Sequence, residues 1–209
     1  MPEADARKEP LHSAGTLLAV VGASGVGKDS LIAYAKQQLS GDASVLFVRR
    51  IVTRPALAVA EDHGHLTSDE FAAALAAGKF AVHWDAHGLR YGVPVSVRDH
   101  LASGGTAVLN GSRVALPAIR SAFENVLVVH ITARPEIIAA RLANRGRENE
   151  NDMALRMQRG TIVLPDREER IEIDNSGPFQ VAGAAFLDAI RNLARPPGDR
   201  NSQLITRTR

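Results

Sequence analysis

The chain has 209 residues, 45% apolar and 23% charged, with a formal net charge of +2. That length suits one domain with small inserted subdomains and a sizeable core, and so small a net charge gives no reason to expect a nucleic-acid partner. The absence of cysteine excludes disulfides and thiolate metal sites, and no run approaches the roughly 20 apolar residues that cross a bilayer, so no membrane role is expected.

Residues 1–14 are polar and lack an apolar signal-peptide core, so they read as a flexible N-terminus, and a cytoplasmic location is expected. Thr16–Val21 reads as the first strand. It runs into Gly22, Ala23, Ser24, Gly25, Val26, Gly27, Lys28, Asp29 and Ser30, with a helical pattern over Lys28–Leu39. Strand, glycine-rich loop and helix form the context in which a phosphate-loop match has physical meaning. The three glycines let the backbone curl so that several N–H groups point at one anion, at the positive end of the helix. Lys28 adds a mobile charge for the β- and γ-phosphates. The whole stretch is therefore expected to bind ATP. The pattern departs at its last position, where Asp29 replaces the serine or threonine whose hydroxyl usually touches Mg²⁺. Two roles are open to Asp29: ligating Mg²⁺, directly or through water, or capping local backbone groups. Ser30 lies about 100° further round the helix and is a poor substitute.

Further strands are expected at Val45–Arg49, Thr106–Leu109, Val126–Ile131 and Ile171–Ile173. Further helices are expected at Val95–Ala102, Ala115–Phe123, Pro135–Asn144, Asp152–Gly160 and Phe179–Ala194. This alternation predicts a three-layer α/β/α fold with a parallel sheet and ligands at the carboxyl ends of its strands. Residues 53–94 break the rhythm, being rich in His, Gly and Asp. One short helix (Ser68–Ala77) is expected there, with a strand at Phe80–Trp84 and a short one near His65. With apolar residues of its own (Phe71, Leu75, Phe80, Val82, Trp84), this stretch reads as an inserted subdomain. Asp62, His63 and His65, and likewise His83, Asp85 and His87, look like short metal clusters, but nothing fixes a third ligand. Polar loop residues or contacts to ribose hydroxyls are the preferred reading.

Arg134, Arg141, Arg145 and Arg147 fall just before, in and after the helix at Pro135–Asn144. Arg141 and Arg145 share a helix face, where two guanidinium groups repel unless an anion lies between them. A transferring phosphoryl group is such an anion, so residues 141–156 read as a lid, with Arg156 as a further candidate. The alternative is a solvated basic face paired with Glu148 and Glu150. Residues 195–209 read as a flexible tail.

The order of phosphate loop, Thr53-Arg54-Pro55, Arg90-Tyr91-Gly92-Val93 and the arginine-rich stretch from Arg141 to Asn149 resembles the guanylate kinase-like branch of nucleoside monophosphate kinases. Within that branch the sequence is most similar to the ribose 1,5-bisphosphate phosphokinases of bacterial phosphonate breakdown. Gly27-Lys28-Asp29-Ser30, Val108–Arg113 and Asn144–Asn149 carry this narrower match, and the likeness covers roughly residues 15–194. It implies a P-loop kinase domain using ATP and Mg²⁺ to phosphorylate ribose 1,5-bisphosphate at its 1-phosphate, giving 5-phosphoribosyl 1-pyrophosphate.

The same resemblance implies that Lys28, Arg141, Arg145 and Arg147 serve catalysis. Arg54 and Tyr91 match positions that hold the monophosphate, and Arg50 and Arg90 are candidate second anion contacts. His83 and Ser112 stand where guanylate kinases carry the glutamate and aspartate that read guanine. Without those carboxylates the guanine N1–H and N2–H donors go unpaired, which removes base recognition. His83, Asp85 and Asn110 are then candidates for sugar hydroxyls. A nucleoside monophosphate kinase of altered base preference is the alternative activity. A non-catalytic protein-binding module fits less well, because Gly27, Lys28 and the lid arginines are intact. A homodimer is left open.

Overall fold

The computed structural model describes residues 15–53, 63–86, 88–144 and 170–195. A five-stranded parallel sheet forms the centre: β1 (Thr16–Val21), β2 (Val45–Phe47), β7 (Thr106–Asn110), β8 (Val126–Thr132) and β9 (Arg170–Asp174). Their order is β2-β7-β1-β8-β9, so β1 lies in the middle, where the direction of winding reverses. All six residues of β1 are buried, as a parallel strand covered on both faces requires. Leu18 and Val20 point to one face, and Leu17, Ala19 and Val21 to the other, by the alternation of a strand.

The first face packs against α1 (Lys28–Gln38) and α6 (Phe179–Ala194), with Leu31, Phe186 and Ile190 fully buried. Tyr34 meets Phe179 edge to face at 5.7 Å and lies against Gly183, where a side chain would crowd the ring. The opposite face packs against α3 (Val97–Ala102) and α4 (Leu116–Ala122). A turn of 3-10 helix at Arg113–Ala115 leads into α4, and α5 (Pro135–Asn144) follows β8. Pro135 opens α5 as expected for a residue without an amide hydrogen.

A second sheet, of order β4-β3-β6-β5, is built from β3 (Ile51–Val52), β4 (Gly64–His65), β5 (Phe80–Ala86) and β6 (Leu89–Pro94). Helix α2 (Ser68–Ala76) covers one side of it. Its start is fixed by reciprocal bonds: Thr67 Oγ1 accepts from the Glu70 N–H, and the Thr67 N–H donates to the Glu70 carboxylate. Phe71 then stacks on Phe80 at 4.6 Å. The other side of the sheet, through Val82, Trp84 and Val93, shares a core with Leu17, Leu109 and Ile119 of the central layer.

Most expected elements are present with ends moved by one to three residues, α3 for instance beginning at Val97 rather than Val95. Strands β3 and β6 were not expected. Two residues show no periodicity, and Leu89–Pro94 carries an arginine, a glycine and a proline, residues that argue against a strand except at an edge or end. The helix expected at Asp152–Gly160 lies outside the described residues.

His130 and Glu172 face each other across the β8–β9 register, with Nδ1 and Oε1 3.6 Å apart. Burial lowers the His130 pKa; Glu172 opposes this, while Arg113 and Arg170 add to it. A histidine whose folded pKa is depressed stabilises the fold above its unfolded pKa of about 6.5 and loses that contribution on acidification. Denaturation midpoints measured at pH 7.5 and 5.5 should therefore fall further for the wild type than for His130→Asn.

Candidate nucleotide site

The loop between β1 and α1 lies at the carboxyl edge of the central strand, the position where open α/β sheets bind ligands. Gly22, Gly25 and Gly27 have φ of 153°, 83° and 95°, which side-chain-bearing residues rarely adopt. A Cβ at Gly22 would collide with the Ile131 carbonyl, and one at Gly25 would press on Ile138 and Leu142 of α5. A Cβ at Gly27 would lie 2.5 Å from the Asn175 Nδ2. Among the described residues, the N–H groups of Ala23, Ser24, Gly25 and Gly27 donate to no protein acceptor, Ser24 and Gly25 forming the middle of a turn. A curled backbone with its donors unspent, at a helix N-terminus, fits a polyphosphate. The Lys28 Nζ donates to the carbonyls of Gly22 (2.9 Å) and Ala23 (3.0 Å), so the ammonium lies against the loop it is expected to serve.

The loop is braced from behind. Asn175, just after β9 and 2% exposed, donates from Nδ2 to the Val26 carbonyl at 2.7 Å. The Arg141 guanidinium donates to the same carbonyl at 3.2 Å and to the Asn175 carbonyl at 2.8 Å. These bonds hold the Val26 oxygen away from the side on which an anion would bind. Arg141, expected to act over the transferring group, is joined here to the loop and to the β9 end. Arg145 and Arg147, its expected companions, lie outside the described residues, as do Arg54, His87 and Arg156.

Asn110 ends β7, beside Val20 of β1, and its Nδ2 donates to Asp29 Oδ1 at 2.5 Å. Asp29 thus meets a side chain from the neighbouring strand, and among the described residues it accepts no backbone N–H. Ser30 is exposed on α1, and Ser112 is half-buried just beyond β7.

The remaining acceptor candidates divide between two faces of the second sheet. Tyr91 pairs with Trp84, their rings stacked at 5.4 Å and 5°, on the core side, and the Arg50 guanidinium sits 5.4 Å from the Tyr91 ring centre. His83, Asp85 and Arg90 alternate with them and are exposed on the opposite side. Arg90 there faces Asp85 at 3.9 Å and lies over the Phe71 ring at 6.0 Å. An ion pair this exposed is worth about 0–1 kcal/mol. Arg134 bonds Ser176 through its N–H and pairs with Glu136 at the surface. His63 is buried with its ring 4.5 Å from that of His65, and no group of three or more His, Cys, Asp or Glu is gathered among the described residues. None of the described helices is long and apolar enough to cross a membrane.

Sequence reasoning did not anticipate the Asn175 brace or the Asp29–Asn110 bond. Both join positions far apart in the chain, by 149 and 81 residues, and no local spacing announces such pairs. The only sequence signal was an asparagine at a strand end.

Comparison with known proteins turns the fold into a family. The chain is 41% identical over 178 residues to "Ribose 1,5-bisphosphate phosphokinase PhnN" of Agrobacterium fabrum, covering 85% of this chain and 97% of that protein. The proteins of the same name from Thiobacillus denitrificans and Burkholderia pseudomallei are 44% and 42% identical, over 85% and 88% of this chain and 94% and 99% of theirs. The chain belongs to the ribose 1,5-bisphosphate phosphokinase PhnN family. No protein-family model matches it. Among solved structures, guanylate kinase from Anaplasma phagocytophilum aligns with a TM-score of 0.58 at 18% identity, covering 93% of this chain and 91% of that one. A sugar kinase from Janibacter sp. HTCC2649 aligns with a TM-score of 0.50 at 17% identity, over 90% and 99%. At such identities these two show the fold alone. The chain thus has a guanylate kinase-like α/β fold.

Truncating the Asn175 side chain removes one of the two donors on the Val26 carbonyl, and with Arg141 still bonded to it the loss is about 0.5–1.5 kcal/mol. Asn175→Ala should lower the melting temperature and weaken ADP binding, the first read by thermal unfolding and the second by calorimetry. Gly27→Ala should abolish ADP binding at concentrations that saturate the wild type.

Proposed function

We propose that this chain transfers the γ-phosphoryl group of ATP to the 1-phosphate of ribose 1,5-bisphosphate, giving 5-phosphoribosyl 1-pyrophosphate and ADP. One observation carries the reading: near-full-length similarity to relatives bearing the name of that kinase. The braced phosphate loop supports it, as does the absence of carboxylates from the two positions, His83 and Ser112, that match guanine readers.

In the reaction an oxygen of the 1-phosphate forms a bond to the γ-phosphorus while the bond from that phosphorus to the β,γ-bridging oxygen breaks. The attacking oxygen is already largely ionised at neutral pH, because a phosphate monoester has its second pKa near 6. No general base is needed. The work left to the protein is to align two polyanions and offset their repulsion. The loop's unspent N–H groups and Lys28 would hold the ATP phosphates, with the Val26 carbonyl kept out of the way by Arg141 and Asn175. Arg50 and Tyr91, stacked on Trp84, would hold an acceptor phosphate. The roles of Arg54, Arg145 and Arg147 rest on their motifs, and those of His83, Asp85, Arg90 and Ser112 on sequence matching. A divalent cation would neutralise charge on the β- and γ-oxygens. Asp29 suits it, because a carboxylate is a hard oxygen donor and only one of its oxygens is engaged by Asn110.

Phosphorus NMR with ATP and either ribose 1,5-bisphosphate or GMP tests the reading. The expected result is a new pair of coupled pyrophosphate resonances from the ribose compound, with GMP inert. Conversion of GMP alone would overturn it. Lys28→Ala should lower turnover by about a hundredfold or more, the scale of losing one preorganised electrostatic contact, while thermal unfolding shows the fold intact.

A further inference from the structure

We propose that Asn110 is a positioning residue that orients Asp29 as the protein's carboxylate ligand for the nucleotide-bound divalent cation. This rests on the kinase reading above. In phosphate-loop enzymes the loop usually supplies a neutral hydroxyl and a neighbouring strand end supplies the carboxylate. Here the two chemistries are exchanged. The carboxylate sits on the loop's own helix, at Asp29, and the strand beside β1 ends in a neutral amide, Asn110. The pair keeps one negative charge and one neutral polar group, and moves the charge to the other element.

Three observations favour this over a purely local role for either residue. Asp29 accepts no backbone N–H among the described residues, so capping does not account for it. Its engaged oxygen, Oδ1, is held by a donor from a strand 81 residues away, across the carboxyl edge of the sheet and beside the loop. Asn110 is bound in one sense only, since a carboxylate has no hydrogen to give and the amide must therefore present its N–H₂. A side chain fixed through one oxygen keeps the other oriented without spending it. An aspartate at 110 would instead set two carboxylates against each other, so the asparagine follows from the aspartate at 29.

The test uses Mn²⁺ as the probe, titrated by electron paramagnetic resonance into the full chain with ADP, without turnover. Asp29→Asn and Asn110→Ala should each weaken Mn²⁺ binding at least tenfold. Thermal unfolding without nucleotide should stay close to that of the wild type, which a collapsed fold would not allow. The double variant Asp29→Ser with Asn110→Asp, which returns the carboxylate to the strand, should recover most of the Mn²⁺ affinity that Asp29→Ser alone loses. If Asp29→Asn weakens Mn²⁺ binding and Asn110→Ala does not, the positioning role is overturned while the metal role of Asp29 stands. If neither changes it, both are overturned. Failure of the double variant to recover affinity, with its fold intact by circular dichroism, would overturn the exchange. The kinase reading is judged separately by product formation at saturating Mg²⁺.

Discussion

The Val26 carbonyl is the point on which the site depends. A loop that binds a polyanion through its N–H groups must aim its carbonyls elsewhere, because each one facing a phosphate repels it. At Val26 this is done with two donors, the Asn175 amide and the Arg141 guanidinium. The left-handed glycines supply the path of the loop, and these side chains supply the reason it stays there. Tight contact follows: Gly27 has no Cβ because the Asn175 amide occupies that space, and Gly25 has none because α5 packs on it. The brace therefore joins the loop, the end of β9 and the helix after β8 into one unit.

The central sheet makes this unit possible. Because β1 lies between β7 and β8, the loop that follows it emerges beside the ends of both neighbours. Asn110 reaches it from one side; α5, following β8, and Asn175, following β9, reach it from the other. The two apolar faces of the sheet are filled independently, by α1 and α6 on one side and by α3, α4 and the second sheet on the other. Tyr91 and Trp84 are continuous with the second of these cores, so this face of the second sheet is built on packed aromatic rings rather than on an open loop.

The fold was largely legible in the sequence because its signals are local. An apolar run, three glycines and a lysine name the phosphate loop wherever they meet a strand and a helix. The strand–helix alternation then follows from periodicity alone. The second sheet was half legible: α2 announces itself through Thr67 and Glu70, whereas β3 is too short to show a pattern. Within the candidate site, the residues that drew attention were visible in the sequence and their bonding partners were not. Asp29 was visible as an anomaly, but its donor Asn110 lies across a strand pairing that only the register reveals. Arg141 carries no mark distinguishing an arginine that bonds the loop from one that reaches across it. Likewise His83 and Tyr91 fall near each other in sequence, and strand alternation puts them on opposite faces.

The brace also bears on how the protein is made. Val26 and Asn175 are separated by 149 residues. At the usual pace of translation the phosphate loop leaves the ribosome roughly 7 to 30 seconds before its amide partner exists. During that interval the Val26 carbonyl has no Asn175 amide to hold it. A product truncated before β9 would lack the bond that shapes the loop however well its first strands had folded.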